Sequence, residues 1–252
     1  MAPKLPVNSL RTTFAIIEEI VDRNGAGIAE LAETLEKPKS TVYDHVVSLY
    51  ELQYLTREDG TYRLTSDFLR LGYWNRYNRT LYQAAINELQ RLAADTGEYA
   101  SLTVEEHGRA VIIATEEGEQ AIPVHIFDGL KMNLHTAAPG KAILAFLSPD
   151  RVDEIIETHG LPKRTTNTIT DRERLDTELE RIRADNYALD DEERLTGMRS
   201  VAAPVIDRSG RVQGSLSVYG PTNRIDDHLF TEELPDKLLR AANIVEVLLN
   251  YD

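Results

Sequence analysis

The apolar positions in the first quarter of the chain stop and restart. Ile28, Leu31, Ala32 and Leu35 recur at i, i+3, i+4 and i+7, which predicts one apolar face of a helix. Glu36-Lys37-Pro38-Lys39 interrupts the pattern, because proline ends one helix and suits the first turn of the next. Val42, Val46 and Leu49 restart it at four- and three-residue spacing. Thr56 to Leu64 reads as two short strands joined by Asp59-Gly60, a pair suited to a tight hairpin. An earlier helix is expected over 10–24, with Phe14, Ile17, Ile20 and Val21 inward and Ser9 as its cap. Helix, turn, helix and hairpin wing in this order make a DNA-docking unit, expected over 1–65.

Beyond the wing the pattern alternates between periods. A helix opening near Ser66 carries Phe68, Leu69, Leu71, Tyr73, Trp74 and Tyr77, an aromatic set suited to a linker or dimerisation helix over 66–80. From Leu81 a helix runs through Ala85, Leu89 and Leu92 to Thr96, and Gly97 ends it. Strands are expected at 98–105, 109–116, 120–127, 200–207 and 211–219, and helices at 139–147, 151–159, 172–185 and 232–250. The resulting fold class is α+β: a winged helix-turn-helix domain, a linker helix, and an α/β domain over 81–252 around one mixed sheet.

Composition changes this picture in one respect. With 252 residues, 42% of them apolar, the chain can support two cores. No apolar run reaches the roughly 18 residues of a membrane span, and the N-terminus lacks a signal-peptide core, so no membrane role and a cytoplasmic place are expected. The absence of cysteine removes disulfides, thiolate zinc sites and thiol catalysis. Yet there are 42 acidic residues against 28 basic ones, and only seven of the latter are lysines. Residues 1–65 alone hold ten acids and seven bases, net −3. An acidic, lysine-poor surface is what a protein in molar salt shows, as in a halophilic archaeon. There the counterion-release contribution to DNA binding is weak, and shape and base contacts must carry more. The alternative is a sensor or adaptor whose winged helix contacts protein.

No catalytic or metal-binding pattern competes. Gly140-Lys141 lacks the remainder of a phosphate loop, and no Gly-x-Ser-x-Gly elbow exists. The six histidines (His45, His107, His125, His135, His159 and His228) show no paired ligand spacing. Neither an enzyme nor a cofactor is expected.

Four stretches carry a family resemblance: Lys39-Ser40-Thr41-Val42; His135-Thr136-Ala137-Ala138-Pro139-Gly140-Lys141-Ala142; Tyr187-Ala188-Leu189-Asp190-Asp191-Glu192-Glu193; and Arg199 to Val205 followed by Ser217-Val218-Tyr219-Gly220-Pro221. In order and spacing they resemble the IclR family of transcriptional regulators, over nearly the whole chain. The resemblance implies a GAF-like effector-binding C-terminal domain and a double-stranded DNA operator as partner. It also implies a homodimer or dimer of dimers, and control of catabolic genes by a small-molecule effector.

On the recognition helix, Ser40 and Thr41 sit at the N-terminus, where hydroxyls and backbone N–H groups meet phosphates or base edges. Tyr43, Asp44, Val47 and Ser48 share the face opposite Val42, while His45 borders the apolar face as a core histidine. Lys37, Lys39, Arg57 and Arg63 supply cations beside the turn and the wing. Asp44 departs from the arginine that similar proteins carry there. For the effector, the resemblance points to Ala138, Pro139 and Gly140, whose small residues and free N–H groups form an anion site for an organic or sugar acid. It also points to Asp190, Ser200, Ser217 and Tyr219. Ser200 stands in place of a frequent cysteine, and Tyr219, in place of a small hydroxyl residue, is expected to shrink the pocket or reach into it.

Overall fold

The computed structural model describes residues 5–123 and 126–250. The chain divides into two compact units, Met1–Asn75 and Arg76–Asp252.

In the first unit, α1 (Ser9–Asp22), α2 (Ile28–Thr34) and α3 (Lys39–Glu51) surround Ile16, Ile20, Leu31, Val42 and Val46, all buried. The buried stripe of α1 centres on Ile16 and Ile20, which leaves Phe14 and Val21 exposed rather than inward. Ser9 is the first helical residue, and Asn8 takes the cap position. The break before α2 is closed by Glu30, which accepts from the Gly27 N–H at 2.8 Å. The wing is β1 (Leu55–Glu58) paired antiparallel with β2 (Thr61–Leu64), from Leu55 opposite Leu64 to Glu58 opposite Thr61. Asp59 and Gly60 both take positive φ, 48° and 82°, the mirror-image turn that matches strand twist. A bridge between Ala26 and Tyr62 fastens the hairpin beside the start of α2. The following helix α4 (Asp67–Tyr77) buries none of its residues, although Phe68 meets Tyr54 edge-on at 5.5 Å.

The second unit is built on six strands: β3 (Tyr99–Glu106), β4 (Arg109–Glu116), β5 (Lys131–Asn133), β6 (Ala188–Asp191), β7 (Met198–Ile206) and β8 (Val212–Pro221). Their order is β5-β4-β3-β8-β7-β6, and every neighbouring pair is antiparallel, so the sheet is not mixed as expected. Two hairpins meet at β3 and β8, and the helical segments return the chain without a parallel crossover. The expected strand at 120–127 is absent among its described residues; Val124 and His125 lie outside them. Pro123 has no N–H to give a ladder, and the chain rejoins the sheet where the Ile112 N–H donates to Leu130 and the Gly129 N–H donates to Ile112.

Helices cover both faces. On one, α5 (Thr80–Thr96) and α9 (Leu234–Leu249) pack on Leu102, Val104, Val201, Leu216 and Val218. On the other lie α6 (Ala138–Leu144), α7 (Pro149–His159) and α8 (Arg172–Asp185), against Ala110, Ile112, Ala188 and Ala202. Because successive strand residues point to opposite faces, Ser101, Ser200, Ser217 and Tyr219 all turn toward the second face. No helix among the described residues is long and apolar enough to cross a membrane.

Candidate functional sites: a helix face and a polar cavity

The outward face of α3 begins at its first residues. Lys39, Ser40, Tyr43 and Asp44 are exposed, while Thr41 is half-buried beside Val42. Ser48 turns back on its own helix, donating to the Asp44 carbonyl at 2.6 Å, and so is less free than its neighbours. His45 is half-buried, and its Nδ1 lies 2.8 Å from the Thr13 hydroxyl, a structural contact between α1 and α3. Leu52 projects into solvent beyond the last turn of α3. Lys37 stands exposed in the turn before α3. On the wing, Arg57 lies over the Tyr62 ring at 5.6 Å, and Arg63 is 3.7 Å from Glu58. These exposed groups offer a hydroxyl-rich helix end flanked by few cations and several acids.

In the second unit, strand register assembles the other site in rows. Tyr99, Tyr219, Ser200 and Asp190 stand opposite one another across β3, β8, β7 and β6; Ser101, Ser217 and Ala202 form the next row. Within the first row the Tyr99 and Tyr219 rings stack at 5.1 Å, and the Ser200 hydroxyl donates to Asp190 Oδ2 at 3.1 Å. In the second, the Ser101 and Ser217 hydroxyl oxygens lie 2.8 Å apart. Tyr219, Ser200, Asp190, Ser101 and Ser217 line a cavity of about 510 Å³, together with Pro139, Met132 and Arg194.

Of the residues expected from sequence, Pro139, Asp190, Ser200, Ser217 and Tyr219 meet in this cavity. Ala138 and Gly140 do not line it. Ala138 is fully buried in the apolar layer below, and a methyl group added to Gly140 would stand 2.1 Å from the Leu134 carbonyl oxygen. Gly140 is therefore glycine because backbone passes there, and Ala137 takes the lining position instead. The Ser215 hydroxyl, donating to the Pro139 carbonyl at 3.0 Å, holds the start of α6 against β8. Sequence reasoning missed Ser101, Arg164 and Arg194, which also line the cavity. Ser101 was detectable as a polar residue in the alternation Ala100-Ser101-Leu102-Thr103-Val104. The arginines lie in irregular segments and leave no periodic signal.

The electrostatics are set by burial. Burial pushes the Asp190 carboxyl up to about 6, against the nearby Lys141, the Glu193 and Arg194 N–H groups and the Ser200 hydroxyl. The Tyr219 hydroxyl is pushed up by burial and by Tyr99, so it remains a donor. Burial also lowers the Arg194 guanidinium, opposed by Asp190 and reinforced by Arg164. Behind the cavity, the ammonium of buried Lys141 lies between Glu178, at 3.2 Å, and Glu193. The two carboxyls shift in opposite directions. Burial lifts Glu193 to about 7 against the pull of Lys141, whereas at Glu178 the same burial is overcome by Arg181 and Lys141 together. Glu178 has two cations, whereas Glu193 has one and is raised further by the neighbouring Asp190 and Glu178.

Comparison with known proteins identifies this arrangement. Residues 9–59 match the IclR helix-turn-helix domain, and residues 77–247 match the bacterial transcriptional regulator IclR C-terminal domain. The chain is 30% identical over 247 residues to the protein designated an HTH-type transcriptional regulator, ArcR, of Halobacterium salinarum, covering 96% of this chain and 94% of that one. It is 30% identical to the regulator KdgR of Escherichia coli, covering 97% and 94%. The crystal structure of the Thermotoga maritima IclR superimposes with a TM-score of 0.82 at 30% identity, covering 97% of this chain and 99% of that one. The chain belongs to the IclR family of transcriptional regulators, with a helix-turn-helix DNA-binding domain followed by an effector-binding domain.

Proposed function

We propose that the exposed face of α3, with the wing, reads the operator, and that the cavity beside β8 receives the effector that governs this reading. Residues 1–65 would then be the DNA-binding part, 66–80 the linker and 81–252 the effector-binding part. Ser40, Thr41 and Tyr43 supply base and phosphate contacts, and Asp44 is positioned to accept from a cytosine amino group. Lys37, Lys39, Arg57 and Arg63 hold the backbone. The effector is a small organic or sugar acid, and its binding shifts the population of a DNA-competent homodimer in the cytoplasm.

The observation that carries this reading is the convergence of buried Ser101, Ser217, Ser200, Asp190 and Tyr219 on one cavity. A purely structural sheet face would be apolar there, as the opposite face is. Exposed Leu10, Phe14, Val21, Leu69 and Leu71 supply apolar surface for a second copy.

The test is anisotropy titration of duplexes selected by the protein from a random library. Tyr43→Ala and Lys39→Ala should each weaken binding about tenfold while leaving ligand-induced thermal stabilisation in place. Equal loss of both properties contradicts the division of labour. Ser217→Leu fills the cavity and should abolish the ligand response; a preserved response removes Ser217 from the site.

A further inference from the structure

Several buried or partly buried cations of the second unit are held by carboxylates. Arg199 meets Asp191 and Asp227, Arg181 meets Glu178 and Asp185, and Lys141 meets Glu178 and Glu193. Arg194 differs. It stands in the turn after β6, is only partly exposed and lines the cavity, and its guanidinium has no hydrogen-bond or ion-pair partner among the described residues. Asp190 is close, yet its oxygens are engaged by the Glu193 N–H at 2.7 Å, the Ser200 hydroxyl at 3.1 Å and the backbone N–H of Arg194 itself. A guanidinium withdrawn from water without an anion is costly, and a carboxylate matches its planar fork with two parallel hydrogen bonds. Arg164 lines the same cavity and adds a second positive charge.

A second group in the cavity is also incomplete. Tyr219 is only 6% exposed, its ring is stacked on Tyr99, and its hydroxyl has no partner among the described residues. Buried phenol hydroxyls ordinarily find one. The wall includes Ile112, Leu130 and Met132, which suit an apolar stretch of ligand.

We propose that Arg194 anchors a carboxylate of the effector while the Tyr219 hydroxyl donates to a second oxygen of the same molecule, so that the effector is a hydroxy- or oxo-carboxylic acid. This rests on the reading of the cavity as the effector site. It makes Arg194 the residue that sets preference for an acid over its neutral analogue, a role apart from the serines and Asp190 of the sheet.

The experiment is calorimetric titration of the full-length protein, in the salt that keeps it folded, with lactate, D-gluconate and 4-hydroxyphenylacetate, each beside its amide. At least one acid binds, and its amide binds about tenfold or more weakly. Arg194→Gln lowers affinity for that acid roughly 10- to 100-fold, and Arg194→Lys, which keeps the charge but not the fork, falls between. Tyr219→Phe weakens 4-hydroxyphenylacetate and leaves phenylacetate unchanged, or, if another acid binds, weakens that acid. Equal binding of acid and amide, or undiminished acid binding by Arg194→Gln, overturns the anchor while the cavity stands as the effector site. Tighter binding of inorganic phosphate than of any acid overturns the carboxylate assignment, as does binding of none of the probes. Acid binding that survives Ser217→Leu would instead bring down the reading of the cavity itself.

Discussion

Gly140 and Gly72 make opposite demands on a single methyl group. At Gly140 the added carbon would stand 2.1 Å from the Leu134 carbonyl oxygen and 2.6 Å from its Cα, so backbone must move. Gly140→Ala should cost about 3 kcal/mol, read as a melting temperature lower by roughly 6–12 °C. At Gly72, inside α4, nothing lies within 4 Å, and Gly72→Ala should stabilise by about 0.5–1 kcal/mol through helix propensity. A harmless Gly140→Ala would mean that the start of α6 packs otherwise. At this scale the cavity was half legible. Ser217, Tyr219 and Asp190 were pointed to by the family resemblance; alternation puts Ser217 and Tyr219 on one face of β8 but reads equally well as sheet core. Gly140 lies in a run of small residues at the start of α6 that reads equally well as ligand-binding or as packing, and only the proximity of Leu134 decides. Arg194 stands in an aperiodic turn, where sequence does not say which way a side chain points.

At the scale of elements, local signals served well and non-local ones did not. The Asp59-Gly60 hairpin and the helix Arg172–Asp185 follow from turn chemistry and from an apolar stripe, both of which act within a few residues. The pairing of β8 with β3 joins residues over a hundred positions apart, which no local pattern encodes. One tie between elements has a measurable consequence. Lys141 on α6 joins Glu178 on α8 to Glu193 in the turn after β6, and Glu193 Oε2 has no partner among the described residues. The Glu193 carboxyl is raised from 4.5 to about 7, and that of Asp190 from 3.8 to about 6. A carboxyl raised by folding binds its proton more firmly in the folded state than in the unfolded one. Its favourable contribution is therefore complete below the unfolded value and is lost as pH rises through the folded one. Between about pH 4.5 and about 7 these two groups make the second unit more stable on acidification. Glu193→Gln should flatten that part of the melting-temperature profile relative to the unaltered protein. Parallel profiles would show that Glu193 is charged and fully compensated by Lys141.

For the molecule as a whole, the question is how a chain of net charge −14 holds a polyanion. Counterion release gives a slope of log K against log salt near −0.9 per neutralised phosphate. The turn and wing offer four exposed cations per protomer, Lys37, Lys39, Arg57 and Arg63, and Glu36, Asp44, Glu58 and Asp59 stand among them in the sequence. Arg63 already lies 3.7 Å from Glu58, so it does not act at full strength. If only these four act, the proposed dimer can show a slope no steeper than about −7, and the acidic neighbours should make it shallower. Affinity must then persist into high salt through the hydroxyls and ring of Ser40, Thr41 and Tyr43, whose contacts release no ions. Three measurements separate these contributions on a selected duplex across a potassium chloride series. Arg57→Ala and Arg63→Ala should each make the slope less negative by about 1 per protomer while changing sequence preference little. Tyr43→Ala should lower affinity at every salt concentration and leave the slope where it was. A slope steeper than about −7 would require cations elsewhere, with Arg11, Arg23 and Arg70 the remaining arginines of the first unit. A slope indifferent to both wing arginines would remove the wing from the DNA contact, leaving the end of α3 to hold the operator by fit alone.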